Sequence, residues 1–375
     1  MGVIVYWYLV AAVIIIGMIL PQERKKRKKY IVIIGLLHTF LCGFRYMYIT
    51  GDLRKYAFSF YEDGKQNNGW FDVAVFNGGK NAGFRWFSKC VSIITNGDFQ
   101  LFLIILAIIT QVSMAIIIYY YSPKPWLSYL IFNTMSFYVV YDFCAIKQGL
   151  AMSLLLFSMI AIFEKKFLAF LIITLIAGFV HFPALAFLPA YIIANNKINN
   201  RTFVLYSMAA LLIYLSRNAV VSLISEAYYE EEIIDTNVKT TIGGRFIVIT
   251  LILLCGIILK GINEKRFEQL FNVIFVGALL QMFSGFDNVF TRFADYYLQF
   301  LVLFIPMIFF RENEIKMRNE GTNRSILTFD EKSNKLFVAI LTLVLLWYYY
   351  KTCLGMDITI QGDNYLNYRF MWQVK

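Results

Sequence analysis

The chain is 375 residues long and 59% hydrophobic, with a mean hydropathy of +0.61. A soluble domain holds about 45–50% apolar residues, so this composition excludes a separate soluble catalytic domain and reads as a single transmembrane domain over residues 1–375. The net charge of +11 does not signal nucleic acid, because the lysines and arginines cluster in short loops between apolar runs, the positive-inside pattern of a polytopic membrane protein.

Residues 2–20 form the first apolar run, and the cations follow it at Arg24 to Lys29 instead of preceding it. That order fits a retained span with its N-terminus outside. Further apolar runs lie near 30–49, 99–121, 127–143, 145–163, 167–181, 183–193, 202–225, 243–260, 267–286, 293–310 and 336–350. Each is read as a span or a shortened span, giving an all-α polytopic bundle of about twelve spans at ~20 residues each. Threading the chain from an outside N-terminus places loops 21–29, 122–126, 164–166, 194–201, 260–268 and the basic loop 311–335 in the cytoplasm. These loops hold 20 of the 35 lysines and arginines, which supports the orientation and puts both termini outside the cell.

The outward side carries a long loop over 50–98, a second over 226–242 with the acidic run EAYYEEEIID, and the tail ending NYRFMWQVK. The first is rich in aromatics and glycine, so pieces of it are expected to lie as amphipathic segments on the outer leaflet. No histidine converges on the acidic run, which reads as a solvated loop. Cys42, Cys90, Cys144, Cys255 and Cys353 lack CxxC or zinc-ligand spacing and read as small hydrophobes. No metal and no cofactor is expected.

The polar residues at or inside spans direct attention to function, because ionisable groups at membrane depth are costly and commonly line a cavity or substrate path. The stretch FRYMYITGDLRKYAFSFY over 44–61 brings Arg45 to the mouth of the second span, and Gly51 lets the chain turn so that Asp52 lies near the bilayer surface. Tyr56 follows Asp52 by four residues and shares its face on a resumed helix. Arg45 and Arg54 also fit interfacial anchors beside a tyrosine belt. His38, Cys42 and Arg45 share one face of the second span at i, i+4, i+7. The turn YDFCAIKQGLA places Asp142, Lys147 and Gln148 at the outer surface, where Lys147 either snorkels or binds an anionic lipid head. His181-Phe182-Pro183 joins two short runs, and a histidine there either ends a helix or takes a phosphate or proton. In TRFADYYLQF, Arg292, Asp295, Tyr296 and Gln299 share a face, with Arg292 and Asp295 spaced to pair. Gln281, Ser284 and Asn288 follow near-helical spacing just before it.

Taken in succession, five stretches resemble the EpsG family of Wzy-like exopolysaccharide polymerases. They are FRYMYITGDLRKY (44–56), NAGFRWFSKCV (81–91), IKQGLAMSLLLFS (146–158), LIAGFVHFPALAFLP (175–189) and TRFADYY (291–297). Two positions depart from the family pattern: Asn81 stands where the family often has glutamate, and Lys147 stands for the arginine before Gln148. The latter keeps the charge but loses the bidentate fork. The resemblance implies a GT-C-like or Wzy-like bundle in the bacterial cytoplasmic membrane. It implies polymerisation of polyprenyl-pyrophosphate-linked oligosaccharides on the outer face, in contact with membrane lipid and with flippase and chain-length partners. In that reaction Arg45, Lys147 and Arg292 would neutralise the pyrophosphate. Asp52 and His181 are the candidate bases, so Asp52, His181 and Arg292 form the expected catalytic set. Arg45, Arg54, Tyr56, Lys147, Gln148 and Tyr296 form the expected substrate-binding set. The chain has no GxxxxGK[ST] stretch and no DxD pair, so neither a nucleotide nor a metal is expected. The competing readings are a flippase or transporter for lipid-linked sugars, and a ligase or acyltransferase on the same surface. A flippase would need polar groups at many depths, whereas here they gather at the outer ends.

Overall fold

The structure, a computed structural model, describes residues 2–65, 81–197, a few positions between 204 and 216, and 244–260, 264–285, 288–310, 331–351 and 368–373. The described residues contain helices and no β-strand, with one isolated bridge pairing Arg45 with Phe370. Three helices, Phe99–Tyr121, Ile146–Phe163 and Lys265–Ser284, are long and apolar enough to cross a membrane, and several shorter apolar helices accompany them. The expected run 202–225 lies largely outside the described residues, as do the acidic run and most of the basic loop 311–335.

The fold divides into two compact units, one built from residues 1–185, 301–314 and 329–375, the other from 186–300 and 315–328. In the first unit, α1 (Ile4–Ile19), α2 (Lys28–Gly43), α3 (Gly51–Lys65), α4 (Ala82–Ile94) and α5 (Phe99–Tyr121) follow in order. After them come α6 (Pro125–Thr134), α7 (Ile146–Phe163) and α8 (Phe167–Val180). Asp98 starts α5 by accepting from the Gln100 and Leu101 amides at 2.8 and 3.1 Å, satisfying two donors that have no partner within the helix. Pro125 opens α6 at a position where its missing N–H costs nothing. The principal packing pairs are α7 with α8 and α2 with α5, with α3 lying against α4 and α4 against α8. On α3, Leu53, Ala57 and Phe60 are buried while Arg54, Lys55 and Ser59 are exposed.

The run 127–143 was expected as one span, but the α-helix stops at Thr134. Ser136 takes a left-handed conformation at φ 70°, and Phe137–Asp142 forms a π-helical turn. This local rewinding, a pattern common near functional sites, turns several polar groups inward. The Tyr138 hydroxyl donates to the His38 carbonyl at 2.7 Å, Asn133 Nδ2 lies 3.0 Å from His38 Nε2, and Gln111 Nε2 donates to Asp142 Oδ2 at 2.5 Å. Asp142 and Gln148 are therefore buried, at 8% and 1% exposure, and do not lie on the outer surface as expected.

Arg45 also lies in the interior instead of open to headgroups, at 1% exposure. Its guanidinium donates to the carbonyls of Cys42 and Asp142, the latter at 3.2 Å, and lies 5.0 Å from the centre of the Phe143 ring. Its own carbonyl and that of Gly43 accept from Gln100 Nε2. Residues 368–373 close over it: the Tyr46 amide donates to the Arg369 carbonyl at 2.8 Å and the Met371 amide to the Phe44 carbonyl at 3.0 Å. The helix end after α2 thus finds its partners in the π turn, in α5 and in the tail.

In the second unit, α9 (Ala190–Asn195), α10 (Gly244–Cys255), α11 (Lys265–Gln281) and α12 (Asn288–Leu298) are described, with α11 packed against α9, α10 and α12. The chain then returns to the first unit through α13 (Leu301–Phe309) and α14 (Glu331–Tyr349). The run expected over 293–310 is thus two helices, and Asp295, Tyr296 and Gln299 are buried. The described cysteines 42, 90, 144 and 255 form no disulfide.

Arg45→Met removes a guanidinium from two buried carbonyls, so a destabilisation of ~2–4 kcal/mol is expected. It should appear as a lower thermal midpoint in fluorescence-detected size-exclusion chromatography. An unchanged midpoint would show that the buried contacts contribute nothing.

Candidate functional site

Four of the sequence stretches singled out above converge in the first unit. Lys147 opens the first turn of α7, half-buried, with its ammonium 5.0 Å from the centre of the Tyr56 ring on α3 and 5.5 Å from that of Phe84 on α4. The two rings are themselves 5.8 Å apart. A cation over two aromatic faces is held by their quadrupoles while the alkyl stem stays apolar. Asp52, Asp63 and Arg85 lie within Coulombic reach of the same ammonium. Asp52, Tyr56 and Lys147 from the expected set thus share one neighbourhood.

Arg85 and Asp63 were not singled out in the sequence. Arg85 Nη2 and Nε donate to the two Asp63 carboxylate oxygens at 2.8 and 3.3 Å, a bidentate fork joining α4 to α3. The hydrogen bonds it donates to Asp63 raise the pKa of the Arg85 guanidinium above its ordinary value, and it stays charged. A separation of 22 residues gives no helical spacing from which this pair could be read.

Asn81, which departs from the family pattern, sits in the left-handed region at φ 74°. Its side-chain oxygen accepts from the Phe182 amide at 3.1 Å, tying the start of α4 to the His181–Phe182 turn. Gly83 completes the joint, since a Cβ there would lie 2.8 Å from the Phe179 carbonyl on α8. His181 ends α8 in an extended conformation and is half-buried; its amide donates to the Ala177 carbonyl at 2.8 Å. On the other side of Lys147, a Cβ at Gly149 would meet the Tyr141 carbonyl at 2.7 Å, so α7 packs directly on the π turn beneath the site.

The other expected residues are placed differently. Arg54 is exposed, with Nε 3.4 Å from the Tyr48 carbonyl, and Gln148 points into the packed interior. In the second unit, Arg292 is exposed and Tyr296 fully buried. Asp295 pairs with Arg245 on α10, through distances of 2.5 and 3.1 Å. Asp295 is 2% exposed and Arg245 15% at the side chain, so the longer-range partner screens the carboxylate from the apolar interior. No group of three or more His, Cys, Asp or Glu with metal-ligand geometry occurs among the described residues.

An apolar helical scaffold that holds a half-buried ammonium between aromatic faces defines a helical membrane protein. The chain belongs to the EpsG family, whose model matches residues 28–319. That range includes all five motif stretches. No curated protein and no solved structure matches the chain.

Two outcomes are expected from this geometry. Arg245→Met should cost about 3–5 kcal/mol by leaving Asp295 buried without its cation. Arg245→Met combined with Asp295→Asn should recover most of that loss in the same thermal assay. Gly83→Val should cost ~1–3 kcal/mol by overpacking the α4–α8 joint, with Gly83→Ala intermediate between it and the parent.

Proposed function

We propose that the protein is a metal-independent membrane glycosyltransferase of the Wzy type. It polymerises undecaprenyl-pyrophosphate-linked repeat units into exopolysaccharide, capsule or O-antigen on the outer face of the bacterial cytoplasmic membrane. The observation that carries this reading is membership of the EpsG family over residues 28–319. It is supported by the cluster at Lys147, where cationic and aromatic groups suit a sugar joined to a lipid pyrophosphate.

In the proposed reaction the anomeric carbon of the growing glycan loses its bond to the pyrophosphate oxygen and gains one to an acceptor hydroxyl on the next lipid-linked unit. The hydroxyl proton passes to a base, and polyprenyl pyrophosphate departs. Lys147 offsets charge developing on the leaving group, and Tyr56 and Phe84 give apolar faces to the sugar rings. Asp52, on the first turn of α3 and half-exposed, is the preferred base. His181 is the second candidate for that role. Arg292, exposed on α12, is assigned to phosphate charge. Arg54 is open to a headgroup. Arg45, Gln148 and Tyr296 act by holding the scaffold. The activated donor supplies the energy, so the reaction needs no nucleotide. A flippase and a chain-length regulator are the proposed partners, and both termini are placed outside the cell.

The test is purified protein in nanodiscs given lipid-linked repeat units of the parent organism, read on a gel for a ladder of lengths. Lys147→Met and Asp52→Asn should each lower the rate by about 10²-fold or more while the protein stays folded. Arg292→Ala should also abolish long products. Movement of the lipid-linked unit between leaflets without any ladder would replace this reading with the flippase.

A further inference from the structure

A second feature of the first unit, remote in character from the Lys147 cluster, is a groove of about 480 Å³ between α2 and α5. Its floor is shallow because Gly35 and Ala115 face one another there; a Cβ at Gly35 would lie 3.9 Å from that of Ala115. Its walls include Val32, Leu36 and Val112, between 48% and 64% exposed. Large apolar side chains so open to their surroundings on a membrane helix face lipid chains.

The two ends of the groove differ. One end is formed by Lys28, the first residue of α2, with Tyr119 and Tyr120 from the last turn of α5. Lys28 belongs to the run Arg24 to Lys29, six consecutive cations, and it is exposed while Arg27 is locked inside on the Tyr119 and Ser122 carbonyls. Cations and tyrosines together mark headgroup depth. The other end lies at Thr39 and Gln111. Lys28 to Thr39 is a helical rise of roughly 16 Å, which equals about half of a ~30 Å hydrocarbon core. The groove therefore has the length of one acyl chain in one leaflet and a positive charge where that chain's phosphate would sit.

We propose that this groove is a binding site for an anionic diacyl phospholipid, with its phosphate at Lys28 and one acyl chain lying over Gly35 and Ala115. Charge complementarity selects the occupant: a zwitterionic lipid would fill the same trough without the attraction of the basic run. The site is independent of the polymerase reading and holds whether or not the chain makes polysaccharide.

The test uses full-length protein in phosphatidylcholine nanodiscs containing a few per cent of phosphatidylglycerol or phosphatidylcholine, spin-labelled near the end of one acyl chain. Phosphatidylglycerol should show a motionally restricted component several-fold larger than phosphatidylcholine. Lys28→Gln should reduce that preference by about fivefold, the effect of one lysine at an anionic surface. Ala115→Leu, which fills the floor, should reduce the restricted component for both lipids. Equal restriction of the two lipids in the parent protein overturns the proposal, as does a preference unchanged in both variants. Displacement of the labelled phosphatidylglycerol by equimolar undecaprenyl phosphate would assign the groove to the polyprenyl carrier and overturn it equally.

Discussion

A guanidinium at the end of an apolar helix has to find acceptors, because burying it alone costs several kcal/mol even after relaxation. Arg45 meets that requirement with backbone carbonyls from its own last turn and from the π turn, and with the face of Phe143. Much of the first unit follows from this solution. The chain after Thr134 must rewind to bring the Asp142 carbonyl to Arg45, and the same rewinding delivers the Asp142 carboxylate to Gln111 and the Tyr138 hydroxyl to the His38 carbonyl. The α7 helix then starts directly on the π turn, with Gly149 allowing the approach, and its first turn holds up Lys147 between Tyr56 and Phe84. The buried arginine and the half-buried lysine are joined by structure: the first fixes the platform from which the second projects.

Much of this architecture was legible in the sequence. Apolar periodicity and loop charge gave a helical membrane chain, and α1, α2, α5, α7, α8 and α11 fall within a few residues of expected runs. His38 and Cys42 are buried on α2, and Arg45, two residues past its end, turns back to Cys42 Sγ at 3.1 Å. What the pattern could not show was depth. Asp142 and Gln148 sit beside a lysine in a short polar stretch and look like a surface turn, yet Asp142 at the end of the π turn and Gln148 on α7 are both buried. Helix breaks inside apolar runs were equally hidden: Ser136 and the Gln299–Phe300 junction interrupt stretches whose hydropathy is continuous.

The candidate site was legible in part, for a definite reason. Asp52 and Tyr56 are neighbours along one helix, so local spacing sufficed. The meeting of Lys147 with Tyr56 and Phe84, the Arg85–Asp63 fork and the Arg245–Asp295 pair all join segments far apart in the chain. Spacing carries no information about them. For Asp295 it showed only the i, i+3 neighbour and not a partner 50 residues earlier. Four of the five motif stretches converge in the first unit, which local reading anticipated only as a list in chain order. Asn81 shows that a residue departing from a pattern can carry a structural duty, since its amide oxygen ties the start of α4 to the His181–Phe182 turn.

The tail segment has a consequence for how such a chain is completed. The hydrogen bond from the Tyr368 hydroxyl to the Leu41 carbonyl spans 327 residues, and the backbone bonds of Tyr46 and Met371 close over the same helix end. During synthesis the second helix is therefore inserted long before the segment that seals it emerges from the ribosome. Until then the Leu41 and Phe44 carbonyls must be satisfied by water or by lipid headgroups, and the first unit reaches its final packing only when residues 368–373 dock against a helix end made some 327 residues before them.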